Sequence, residues 1–206
     1  MALTNRGNKI FMTRHVQSDH NVGSWISADE ETDKKSQITP LGLEQGHRLG
    51  KQLKEIGINV IYRSPFQRVA QTCDIFCQYI NAPVFVDKRL KQFDCGIFNG
   101  KTWEEREKFF NNQLEKLYKR PPRGENFLDV KARMLEVFLE INDKYQNNSI
   151  LLVSHGNPLR ILQAAVLNLP DSAIFTDARC LKWKSDVSPE PEIGELLLAR
   201  DLHYEA

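Results

Sequence analysis

Short apolar runs recur along the chain at Ile10-Phe11-Met12, Val60-Ile61-Tyr62, Val84-Phe85-Val86 and Ile150-Leu151-Leu152-Val153. Each reads as a strand. The last is apolar throughout, as a central parallel strand should be. Leu181 to Trp183 and Leu196 to Ala199 read as late strands. Between these runs the pattern changes to helical spacing. Thr39 can cap a helix with Pro40 in its first position, a stripe of Leu43, Gly46, Leu49, Gly50, Leu53 and Ile56, and Gly57 at its end. Gly46 and Gly50 cost helix stability but permit close packing on a sheet. A second helix is expected from Phe66 to Tyr79, with Val69, Cys73, Phe76 and Ile80 on one face, stopped by Asn81-Ala82-Pro83. Trp103 to Lys119 reads as helical on Trp103, Phe110, Leu114 and Leu117. After the break at Pro121-Pro122-Arg123-Gly124, the clearest stripe of all (Phe127, Val130, Met134, Val137, Phe138, Ile141, Tyr145) marks a helix from Glu125 to Gln146. Pro158 to Leu167 is a last helix, with Leu159, Leu162 and Val166 inward.

Strands that alternate with helices predict an α/β fold: a three-layer α/β/α sandwich around a doubly wound, mostly parallel sheet. At 206 residues, with no internal repeat, residues 1–206 are expected to form a single domain. Arg14 to Gln37 is a long connection containing the tract Asp29-Glu30-Glu31-Thr32-Asp33-Lys34-Lys35. It reads equally as a solvated loop and as a flap over a site.

Composition narrows the function classes. The net charge is +1, with no basic excess to suggest nucleic acid. No run approaches membrane-spanning length, and Met1 to Asn8 lacks a signal-peptide apolar region, so the cytoplasm is the expected compartment. Cys73 and Cys77 would share the apolar face of one helix and are read, with Cys95 and Cys180, as core packing; no set of metal ligands is apparent.

Three strands end in comparable chemistry. The first delivers Arg14-His15, the second leads into Arg63-Ser64-Pro65-Phe66-Gln67-Arg68, and the fourth into Ser154-His155-Gly156-Asn157. In open α/β sheets ligands bind outside the carboxyl ends of the strands. Two guanidinium forks, Arg14 and Arg68, suit bidentate binding of a dianion such as a phosphoryl group. A neutral His15 beside them can attack phosphorus, and a second, charged histidine, His155, can stabilise the equatorial oxygens. Gly156 allows close backbone approach, and a helix starting near Asn157 points N–H groups at an anion. No metal or other cofactor is called for.

On these residues the chain resembles the histidine phosphatase superfamily, also called phosphoglycerate mutase-like. Arg14-His15-Val16-Gln17-Ser18-Asp19-His20-Asn21 resembles the family's Arg-His-Gly-Glu-Ser-x-x-Asn opening, departing at Val16 and Gln17. Ile38-Thr39-Pro40-Leu41-Gly42-Leu43-Glu44-Gln45 resembles its Leu-Thr-x-x-Gly-x-x-Gln segment. Ser64 to Thr72, Gly124-Glu125-Asn126-Phe127 and Val153 to Asn157 follow in the family's order, the second with Asn126 for Ser. The resemblance implies His15 as nucleophile, Arg14 and Arg68 as phosphate ligands, His155 as the second histidine of the phosphate pocket, and Asn21, Gly156 and Asn157 near the substrate.

One departure bears on chemistry. In Leu90-Lys91-Gln92-Phe93-Asp94-Cys95-Gly96, Gln92 stands where the family carries the glutamate that protonates the leaving oxygen. An amide cannot act as that acid, and general acid catalysis is typically worth ~10²–10⁴-fold. Asp94, in the same loop, is the preferred substitute, against the simpler reading of a turn residue bonding its own backbone; Glu125 is another candidate. Alternatively the leaving group departs unaided, or the protein mainly binds a phosphorylated ligand. Gln92 itself would line the substrate site. The mutases this chain resembles carry an Arg-rich insertion, whereas here that region offers only Lys116, Lys119, Arg120 and Arg123, and the cluster Lys119 to Arg123 reads as a solvated helix end in preference to a substrate clamp. A metal-independent phosphatase acting on a small phosphorylated molecule is therefore expected, with a phosphoglycerate-type mutase and a binding protein as alternatives. His20 could be a minor ligand near the site, but a surface residue is the preferred reading; His47 reads as structural or exposed, and Trp25 as packing in preference to closure over a ligand. Oligomeric state is not legible.

Overall fold

The computed structural model describes residues 6–177, and the backbone of 194–196. Strands β1 (Lys9–Arg14), β2 (Val60–Arg63), β3 (Val84–Val86), β4 (Ser149–Ser154) and β5 (Gly194–Leu196) form one sheet in the order β3-β2-β4-β1-β5. The first four run parallel; β5 pairs antiparallel with β1. The longer helices are α3 (Pro40–Ile56), α4 (Gln67–Phe76), α6 (Phe127–Lys144) and α7 (Gly156–Val166). Short helices α1 (Asp19–Val22), α2 (Glu30–Lys34), α5 (Trp103–Glu107) and α8 (Ala173–Thr176) fill the connections.

Strand alternation divides the core into two. Ile10, Met12, Val60, Tyr62, Ile150 and Leu152 point to the face covered by α6 and α7. Phe11, Ile61, Leu151 and Val153 point to the face covered by α3 and α4. The result is the expected three-layer α/β/α sandwich. The sheet's middle strand is β4, the most apolar run. No described helix is long and apolar enough to cross a membrane.

Several expectations are corrected. The stripe of α3 is rotated: Gly42, Gln45, Gly46, Leu49, Gly50 and Leu53 are buried, whereas Leu43 is exposed. Gly46 and Gly50 face Ile75 and the Tyr79 ring, so their missing side chains bring α3 against α4 and the turn after it, not against the sheet. Helix α4 stops at Phe76, leaving Cys77 exposed while Cys73 is buried. The segment Trp103 to Lys119 is not one helix. After α5 the side chain of Asn112 caps a separate 3₁₀ turn, Gln113–Leu117, and Asn111 bonds Glu115. An asparagine that takes a backbone N–H on its side chain, Asn112, and the Asn111–Glu115 bonds beside it outweigh an apolar spacing of three to seven. Helix α7 starts two residues earlier than expected, and α6 ends before Tyr145. Leu196 falls in β5; Leu181 to Trp183, 197–199 and Cys180 lie outside the described residues.

Candidate active site

Parallel pairing in register sets the carboxyl ends of β1, β2 and β4 side by side. Arg14 pairs with Ser154 and Arg63 with Val153. The ladder runs one residue further, where His15 N–H donates to the Ser154 carbonyl and Ser64 N–H to the Val153 carbonyl (both 3.0 Å). His15, Ser64 and His155 thus leave adjacent strand ends, and Arg68 reaches them from the first turn of α4.

The hydrogen bonds fix the state of each imidazole. His15 Nδ1 lies 2.7 Å from the Val16 carbonyl, which can only accept, so Nδ1 carries the proton. Its Nε2 lone pair faces Arg68 Nε at 3.1 Å. His155 has the opposite tautomer: Nδ1 accepts from Arg68 Nη2 at 3.1 Å, and Nε2–H donates to Ser64 Oγ at 2.9 Å. The two ring centroids are 5.2 Å apart. Burial, then the positive charges of Arg68 and others including Arg14, hold both histidines well below the usual imidazole pKa. His155 is therefore neutral here, not the charged group the sequence led us to expect. Arg68 is fully buried; burial lowers its pKa to about 10, with Asp33 opposing, and it remains a cation.

Two contributors, Ser27 and Asp33, escaped the sequence reading, and a third, His20, was preferred as a surface residue. His20 is buried, not on the surface. Its ring lies 5.4 Å from that of His15, Nδ1 contacts Ser18 Oγ and Ser36 Oγ at 2.8 Å, and burial lowers its pKa to about 2. Ser27 meets Arg68 with its hydroxyl and its carbonyl, both at 2.9 Å. Asp33 Oδ1 accepts from Arg68 Nη1 at 2.6 Å, and its Oδ2 accepts from Gln67 N–H. All come from the connection Arg14 to Gln37, which is neither structureless nor simply solvated. Its tract forms α2, capped by Asp29, and Trp25 bridges to Thr102 beside the His20 ring. The tract has no periodicity in sequence, so nothing distinguished Asp33 from Asp29, Glu30 or Glu31.

The remaining candidates are placed as follows. Arg14 is half-buried at the end of β1. Asn21 caps α1 through Ser18 and donates from Nδ2 to His20 Nε2 at 3.0 Å. Gly156 and Asn157 form the first turn of α7, with His155 as its cap. Gln92 is buried, its Oε1 accepting from Phe93 N–H. Asp94 holds Gly96 N–H and Asn99 Nδ2 on Oδ1, the turn role, yet it lines a cavity of about 570 Å³ together with Asp33, Phe66, Lys88 and Lys91. Phe66 joins this cavity to the histidines, its ring 5.2 Å from that of His155. Glu125 is committed to Arg133 through both oxygens (2.9 and 3.1 Å). His47 pairs with Tyr79 Oη, a structural role.

An α/β sheet that gathers two neutral histidines around a buried guanidinium at its carboxyl edge defines a protein built for phosphoryl chemistry. The chain belongs to the histidine phosphatase superfamily (branch 1), whose profile matches residues 10–179. It is 28% identical over 172 residues to the "Probable phosphoglycerate mutase GpmB" of Proteus mirabilis, covering 79% of this chain and 76% of that one. Among solved structures, Bacillus stearothermophilus YhfR superposes with a TM-score of 0.72 at 28% identity, covering 82% of this chain and 84% of that one. The mycobacterial glucosyl-3-phosphoglycerate phosphatase superposes with a TM-score of 0.70 at 25% identity, covering 81% and 82%.

Proposed function

We propose that the chain is a metal-independent phosphatase that hydrolyses a small phosphomonoester through a phosphohistidine on His15. The observation that carries the reading is the His15 tautomer. A proton fixed on Nδ1 by the Val16 carbonyl leaves the Nε2 lone pair at the guanidinium edge of Arg68. A phosphoryl group lying between the two rings exchanges the Arg68–histidine contacts for Arg68–oxygen contacts, with Arg14 as the second cation. Nε2 attacks phosphorus as the ester oxygen leaves; water then attacks the phosphohistidine and regenerates the imidazole. In the transition state charge spreads over the equatorial oxygens, where Arg68 is already in place. Asn21 and the first turn of α7, Gly156 and Asn157, flank the substrate, and Gln92 adds an amide at the wall.

Asp94 is the proton donor in this proposal. Its Oδ1 is anchored in the turn, its side chain lines the cavity, and Oδ2 has no hydrogen-bond partner among the described residues. Water as acceptor is favoured over a second phosphorylated molecule because three of the four basic residues of the stretch 116–123, Lys116, Lys119 and Arg120, are already paired. Lys119 donates to the Phe109 carbonyl and Glu115, and Arg120 grips Asp129 through two bonds of 2.6 Å.

The test is phosphate release from para-nitrophenyl phosphate and sugar phosphates with EDTA present. Turnover that vanishes in His15→Ala supports the reading; unchanged activity in that variant sinks it. Asp94→Asn should cost ~10²-fold or more on sugar phosphates and far less on an aryl ester, whose leaving group needs little protonation.

A further inference from the structure

Arg68 uses all five of its N–H donors, and they divide by edge. Nε and Nη2 share one edge of the guanidinium plane, and from that edge they donate to His15 Nε2 and His155 Nδ1, each at 3.1 Å. The other three donors are held from a single stretch of chain. Nη1 donates to Asp33 Oδ1 at 2.6 Å and to Ser27 Oγ at 2.9 Å, and Nη2 donates its second hydrogen to the Ser27 carbonyl at 2.9 Å. The second oxygen of Asp33 accepts from the N–H of Gln67, the first residue of α4. One carboxylate thus fixes both the side chain of Arg68 and the backbone of the turn that carries it.

We infer that Asp33 is a positioning residue for the phosphoryl site, which holds Arg68 so that its Nε–Nη2 edge faces the gap between His15 and His155. This rests on the anion-pocket reading above and extends it to a residue outside every motif named there. A guanidinium on a flexible stem would otherwise have many rotamers, and the ordering cost would fall on substrate binding. Asp33 meets that cost in the folded protein. It lies opposite the reacting edge, so it stays in place when a phosphoryl group replaces the two histidine contacts. It also ties the connection Arg14 to Gln37 to the site, so correct placement of α2 and competence of Arg68 are one condition. The tract that sequence reading left between loop and flap is, on this view, the rear wall of the phosphate pocket.

Binding of orthovanadate, read by calorimetry, tests this without relying on turnover. Asp33→Ala should weaken binding by about tenfold to hundredfold, the scale of a misplaced positioning group. Asp33→Asn, which keeps an acceptor for Arg68 Nη1, should recover part of the loss and guards against a variant that fails to fold. Thr32→Ala provides the control: it removes the hydroxyl that accepts from Ala28 and Asp29 N–H in the same helix cap without touching Arg68, and should weaken binding less than about threefold. Wild-type affinity in Asp33→Ala overturns the proposal. So does a loss in Thr32→Ala equal to that in Asp33→Ala, which would make the effect a general loosening of α2. Failure of the wild-type protein to bind vanadate overturns it as well. Vanadate binding that depends on Asp33, in a protein that releases no phosphate from any ester, would sink the phosphatase reading alone.

Discussion

Three buried imidazoles beside a buried guanidinium predict an unusual loss of stability in mild acid. His15, His20 and His155 all have pKa values pushed down in the folded protein, with burial the largest cause and arginine charge among the others. In the unfolded chain each returns to about 6.5. Below that value the unfolded state binds protons that the folded state refuses, so stability is intact above pH 6.5 and falls as pH falls. The fall continues until pH reaches the folded pKa values. Between pH 7.5 and 5.5 each histidine contributes about 1.4 kcal/mol of this loss, so the three together contribute about 4 kcal/mol. Asp33, whose carboxyl is pushed up by burial, acts in the opposite sense but only where its folded form takes up a proton. Urea unfolding in phosphate-free buffer measures the difference. With a slope of about 3 kcal/mol per molar for a domain of this size, the midpoint should drop by about 1.3 M between the two pH values. His20→Gln should remove about one third of that drop. A drop worth no more than about 1.4 kcal/mol, the share of one histidine, would refute the claim that all three are held neutral.

Two further outcomes follow from the same contacts. Binding of orthovanadate at pH 7.5 should take up about one proton, because an anion between the rings offsets the burial and the arginine charge that keep His155 neutral and lets its Nδ1 become a donor; calorimetry in buffers of different ionisation enthalpy reads the number, and zero uptake contradicts the assignment. Gly42→Ala places a methyl carbon 2.1 Å from the Gln17 carbonyl oxygen, two residues beyond His15. Overpacking of this kind costs about 1–3 kcal/mol, so the melting midpoint should fall by roughly 3–10 °C, and an unchanged midpoint would show that the α3 start does not press on this segment.

What could be read in advance followed from periodicity. Strand alternation and the stripes of α6 and α7 assign their residues to faces before any coordinates exist, and strand ends then place Arg14, His15, Arg68 and His155 at one edge. The connection Arg14 to Gln37 has no such regularity. Its inward residues that reach the site, His20, Ser27 and Asp33, are polar, and a polar residue buried by its partners is indistinguishable in sequence from one left in water. His20 was misread for this reason: its partners are two hydroxyls at Nδ1, from Ser18 and Ser36, and an amide at Nε2, from Asn21. The substitution of Val16 for the family's glycine was visible, but its consequence was not. Val16 packs into the core on the α3 side of the sheet, while its carbonyl fixes the His15 tautomer, so the motif's backbone role survives the change of side chain.

The electrostatics of the pocket argue for a dianion. Arg68 and Arg14 bring two positive charges to a site where Asp33 is the carboxylate bonded to Arg68. Burial, with this field added, keeps the neighbouring histidines neutral, so the Nε2 lone pair of His15 stays available. Burying a charge this deeply is costly unless it is paired, and Asp33 pairs it from the side away from the histidines. The edge that faces them is satisfied only by two neutral nitrogens, the weakest partners a guanidinium accepts. A phosphoryl group improves on both at once, whereas a neutral sugar or amide improves on neither. On the proposed phosphatase reading, Arg68 and its rear support would set selectivity for charge, and selectivity among esters would fall to the cavity walled by Phe66, Lys88, Lys91 and Asp94.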